Sequence, residues 1–84
     1  MKLSEKQRAL KDLEKLEKII KIFCSLGFDK KYPHVFEHVQ NYQKDAEHFY
    51  KNEDYYTSFG AANYAYGHID AILMIEGKKD ENIL

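Results

Sequence analysis

The sequence predicts an all-α fold, a three-helix up-down-up antiparallel bundle, on three observations. Apolar residues recur at alternating steps of three and four along three long segments, the spacing of one helix face. Two interruptions, Gly27 to Pro33 and Asn52-Glu53-Asp54, divide those segments. No segment shows the period-two alternation of a strand, and no internal repeat or low-complexity tract occurs.

The first helix is expected over about residues 5–26. Ser4 is a preferred N-cap, and Gln7 three residues on completes a capping box. Ala9, Leu13, Leu16, Ile20 and Phe23 form one seam, which Leu10, Ile19 and Leu26 widen. Gly27 stands where a left-handed closing residue belongs, so Phe28 is expected to fold back on Phe23. The second helix, about 33–51, opens on Pro33, whose fixed φ and missing N–H suit a first turn. Its cap is Asp29 or Tyr32. Val35, Val39, Tyr42, Ala46 and Phe49 make its seam, and Asn52 is the expected stop. The third helix, about 55–76, follows the N-cap Asp54 and carries Tyr55, Phe59, Ala62, Tyr66, Ile69 and Leu73 inward. Gly77 ends it, leaving residues 78–84 as a frayed tail.

Composition fits one small domain over residues 1–84. The hydrophobic share of 44% supplies a core, and the 32% of charged residues is interleaved with it rather than blocked. A single cysteine, Cys24, excludes a disulfide scaffold, and no Cys/His cluster has zinc spacing. The charged start Met1-Lys2-Leu3-Ser4-Glu5-Lys6 lacks a signal peptide's apolar run. No stretch nears the ~18 apolar residues of a membrane span. A cytoplasmic protein without a membrane partner is the expectation. Residues 1–31 carry a formal charge of +4 and residues 32–84 one of −5, so the net charge is −1. That balance argues against a strongly basic nucleic-acid binder.

The run Asp45-Ala46-Glu47-His48-Phe49-Tyr50 leading through Asp54-Tyr55-Tyr56, followed by Tyr64-Ala65-Tyr66-Gly67-His68-Ile69-Asp70-Ala71, resembles a family of small archaeal proteins. That family is known only as a domain of unknown function, number 357. Its members usually carry Gly just before the Asp-Tyr pair, where this chain has Glu53. The resemblance implies a three-helix up-and-down bundle and transfers no catalytic residue. The same hairpin grammar is similar to HEPN domains, some of them ribonucleases. Their Arg-then-His nuclease motif is missing here, because Arg8 is the only Arg and no His precedes His34. One hairpin with a long first helix is also not a tetratricopeptide array.

Four constellations stand out. His34 and His38 share a helical face with Glu37 between them, and Asn41, Asp45 and His48 continue it. Asp70, beside His68, could meet them across an antiparallel pair and orient an imidazole. Two histidines without a third ligand favour a solvated polar face over a metal, so neither a metal nor another cofactor is expected. Gly60, Asn63, Gly67 and Asp70 step by three and four along the third helix. Glycine inside a helix costs about 1 kcal/mol against alanine, so two of them need a reason. Close packing inside the chain is the favoured one, and contact with a second copy comes next. Tyr64 lies beside them among the flanking tyrosines Tyr32, Tyr50 and Tyr56, a residue type suited to interfaces. Arg8, Lys11, Lys15 and Lys18 line one face of the first helix, where interleaved acids such as Glu14 and Glu17 suggest a solvated surface. No nucleophile sits on a strained turn, and Cys24 reads as a small buried hydrophobe. The expectation is a non-catalytic interaction module or accessory subunit with a protein partner or self-association. The alternative is a nucleic-acid- or nucleotide-binding HEPN-like domain without nuclease activity.

Overall fold

The computed structural model describes residues 4–78. It contains α1 (Glu5–Ser25), α2 (Phe28–Lys31), α3 (Pro33–Lys51) and α4 (Tyr55–Ile75). The expected three-helix bundle is therefore corrected to four helices among the described residues. The extra element is a single turn set between α1 and α3. Gly27 takes the left-handed conformation at φ 78, which reverses the chain at no Cβ cost. Its carbonyl then accepts the amides of Lys30 and Lys31, each at 3.2 Å. The Tyr32 amide closes the turn on the Phe28 carbonyl at 2.8 Å. A four-residue helix is too short to leave a periodic trace in a sequence. Of the expected tail, residues 79–84 lie outside the described residues.

The ends of the long helices follow local chemistry. At α1 the Ser4 hydroxyl accepts the Gln7 amide at 3.1 Å and the Gln7 side chain accepts the Ser4 amide at 3.0 Å, the reciprocal capping box. Tyr32 is the cap residue of α3, with Pro33 in its first turn. Asp54 caps α4 by accepting the Thr57 amide at 3.2 Å. Between α3 and α4 the left-handed residue is Glu53, at φ 63, and not Asn52. The Glu53 amide reaches the Tyr50 carbonyl at 3.0 Å and the Asp54 amide reaches Phe49 at 2.9 Å. This is a Schellman ending, in which a glycine would sit without strain. Gly77 closes α4 in the same manner, its amide on Met74 and that of Lys78 on Leu73.

The middle position belongs to α4, which packs along both α1 and α3, while α1 and α3 meet less extensively. It runs parallel to α1: Arg8 covers Phe59, Asp12 accepts from Asn63, and Lys15 covers Tyr66. It runs antiparallel to α3, where Tyr50 meets Tyr55 and His38 meets His68. Leu16, Ile19, Phe23, Val39, Ile69 and Leu73 are fully enclosed. Phe23 meets Phe28 edge-on at 5.8 Å, as the closing turn predicted, and stacks on Phe36 at 6.3 Å. The inward seam of α4 is Ser58, Ala62, Ala65, Ile69 and Leu73. Small residues there let α3 approach, and the buried Ser58 hydroxyl donates to the Ala46 carbonyl at 2.7 Å. Leu10 and Leu26, expected to widen the α1 seam, are exposed. Among the described residues no helix is long and apolar enough to cross a membrane.

A polar tie fastens the end of α4 to α2. Lys31 pairs with Glu76 at 2.6 Å, and the Tyr32 hydroxyl donates to the same carboxylate. The Lys31 bond first, then the Tyr32 bond, holds the Glu76 carboxyl below its ordinary pKa.

Candidate functional site

The 21 residues of α4 include one charged side chain, Asp70, whereas the 21 residues of α1 include ten. Two flanks and the inner seam of α4 are used in packing. What remains is an outward stripe of Tyr56, Gly60, Tyr64, Gly67, Ala71 and Met74, all exposed. Tyr56 is 78% accessible, Met74 61% and Tyr64 49%, and Ile75 beside them is 76%. A Cβ built on Gly60 or Gly67 would meet nothing within 4 Å. Close packing inside the chain, the favoured reason for these two glycines, is thereby overturned.

Tyr64 is packed among rings from both helices, with about half of its surface left exposed. Its ring lies 4.5 Å from Tyr42, 4.5 Å from His68 and 5.8 Å from His38, centroid to centroid. His38 in turn lies 4.8 Å from Tyr42 and 5.0 Å from His68. Edge-to-face pairs of this kind contribute about 0.5–1.5 kcal/mol beyond area burial, so an exposed ring acquires a fixed position. The His68 Nδ1 lies 2.9 Å from the Tyr64 carbonyl. A carbonyl only accepts, so Nδ1 carries the proton and a neutral ring keeps its lone pair on Nε2. Tyr64 stands between two hollows. One is lined by Asn63, Gly67, His68 and Ala71, the other by Tyr42, Phe49, Tyr56, Gly60 and Ala61 among others.

The remaining predicted residues are distributed around this cluster. His34 is exposed one turn before His38 on α3. Asn63 turns toward α1, donating to Asp12 at 3.3 Å and to the Phe59 carbonyl at 2.9 Å. Asp70 lies on that same flank, because positions two apart on a helix point about 160° from each other. The residue α4 brings to His38 is thus His68. Tyr66, on the Asp70 side, has its phenol pushed up by burial and then by the Asp70 charge. Among the described residues, no group of three or more His, Cys, Asp or Glu is placed to hold a metal ion. The Cys24 thiol is half-buried, and burial, aided by Asp29, pushes its pKa up, away from the reactive thiolate. The basic face of α1 is partly spent inside the molecule. Arg8 lies 4.7 Å over Phe59 and Lys15 4.6 Å over Tyr66.

Sequence reasoning did not find His68 and Tyr42 as partners of Tyr64. The available signal was the four-residue step from Tyr64 to His68, matched by the step from His38 to Tyr42 on the facing helix.

A family model described as "Protein of unknown function (DUF357)" matches residues 7–77, and the chain belongs to that family. No curated protein and no solved structure matches the chain.

Proposed function

We propose that this protein is a non-catalytic interaction module that docks a protein partner on the outward stripe of α4. The observation that supports it is the near-absence of charge on a helix whose outer side is open. A surface helix ordinarily opposes an apolar face to a charged one, and a helix apolar all round belongs in an interior. Covering a large apolar side chain stabilises by at most about 1.5–3 kcal/mol, so Tyr64, Met74 and Tyr56 together can carry a binding interface. The rigid Tyr64 ring fits the anchor type that dominates such interfaces.

The test is a photo-crosslinking amino acid placed at Tyr64 in the host cell, with Lys44 on the outer side of α3 as the control position. Discrete adducts from position 64 and none from 44 are expected. Identical patterns from the two positions, or no adduct at 64, would remove the reading. Nucleic-acid binding draws on the shallow groove lined by Lys11, Lys15 and Lys18. Glu14 in the same groove and the engagement of Lys15 with Tyr66 leave it the weaker reading. It requires salt-dependent RNA binding that disappears when those three lysines become Glu.

A further inference from the structure

We infer that the partner on the outward stripe of α4 is a second copy of this chain, paired about a two-fold axis near the middle of that helix. The inference rests on the docking role given to the stripe above.

Three observations select a second copy. First, the stripe is complementary to itself. Tyr64 and Gly67 lie on either side of Ala65, the midpoint of α4. A two-fold axis there, with the two α4 helices antiparallel, lays Tyr64 of each copy over Gly67 of the other. Both sides of such an isologous contact are satisfied by one pair of features. The ring is prefixed by His68 and Tyr42, and the hollow beside Gly67 is open.

Second, a residue close to a two-fold axis lies near its own copy, so a charge there meets a like charge. The stripe from Tyr56 to Met74 carries none. A dissimilar partner would be served as well by a charged face with an opposite charge facing it; an uncharged one suits pairing of like with like. The two glycines lower the helix propensity of α4 and make no close packing inside the monomer. They flatten the crest of the molecule and let a second helix come near.

Third, the lengths match. The 21 residues of α4 make a ridge of roughly 30 Å at ~1.5 Å per residue, and Tyr56, Tyr64, Met74 and Ile75 are exposed along it. An antiparallel copy of the same helix covers that ridge from end to end.

Sedimentation equilibrium of the full 84-residue chain, from low to several hundred micromolar, tests the pairing. A dimer is expected, weakened at least about tenfold by Gly67→Glu and several-fold by Gly67→Ala, and unchanged by Lys44→Glu. Gly67→Ala keeps the test valid if the Glu variant misfolds, because alanine raises the monomer's helix propensity while narrowing the hollow. A chain that stays monomeric throughout the range overturns the inference, and so does a dimer indifferent to both Gly67 variants. The crosslink at position 64 separates the two levels. An adduct of twice the chain mass supports the second copy. A monomer that gives an adduct of another mass removes the copy and keeps the docking role. A monomer with no adduct removes both.

Discussion

Helices α1 and α4 have the same length, run in the same direction and bury seams against each other, yet their outer sides are opposites. On α1 the outer side is mostly charged, with Glu17 and Lys21 paired at 3.6 Å one turn apart. On α4 it is tyrosine, glycine, alanine and methionine. Inward seams decide whether a helix packs, and both do. Outward faces carry no information for the fold, so the difference between them reflects what each meets afterwards: water for α1 and, in our proposal, protein for α4.

The comparison can be broken or sharpened by substitution. The largest effect is expected in the seams. Leu16→Ala in α1 and Ile69→Ala in α4 should each cost about 2–5 kcal/mol in urea unfolding, since both side chains are fully enclosed. If only one of them does so, the two seams are not equivalent. Next is the entry to α4. Glu53→Gly should stabilise by about 1 kcal/mol, because it relieves a side chain held at positive φ. Smaller still are the outer faces, measured at concentrations too low for association. Gly60→Ala should stabilise by somewhat under ~1 kcal/mol, whereas Lys18→Ala on α1 should stay within about ±0.5 kcal/mol. A pH titration then probes the tie at the end of α4. Glu76 has a depressed folded pKa, so its contribution is complete above the ordinary Glu value of about 4.3. It is lost as pH falls through the lower folded value, and Glu76→Gln should flatten that part of the stability curve. The smallest effect is Glu17→Ala, expected at a few tenths of a kcal/mol.

Much of the fold is legible in the residues, because local rules and burial agree along most of the chain. Ser4 with Gln7, Pro33, Asp54 and Gly77 each set a helix end by their own backbone chemistry. The turn Phe28–Lys31 is not legible, since it rests on a glycine carbonyl shared by two amides and not on any period. Asn52 does end α3 as its cap residue, but the left-handed position expected of it falls one residue later on Glu53, where the chain accepts strain that no propensity rule would select. In the inner seam of α4, Ala62, Ile69 and Leu73 lie where the spacing put them, but Ser58 and Ala65 are buried where Tyr55, Phe59 and Tyr66 were expected, because small residues hide among larger apolar neighbours. The candidate site was half visible. Gly60, Gly67 and Tyr64 could be named from spacing alone, but whether the glycines face inward or outward depends on where the seam lies. The ring cluster around Tyr64 depends on the register of α3 against α4.

The position of α4 between its two neighbours also bears on how the molecule is made. Of the four helices, α1 leaves the ribosome first, and the one it mostly leans on leaves last. Through that interval its oily side has only α2 and part of α3 for shelter. The ten ionised groups spread along α1 keep such a waiting segment dissolved and apart from its own kind. By contrast, α4 emerges when both of its neighbours are already in place, and it has no such wait to survive.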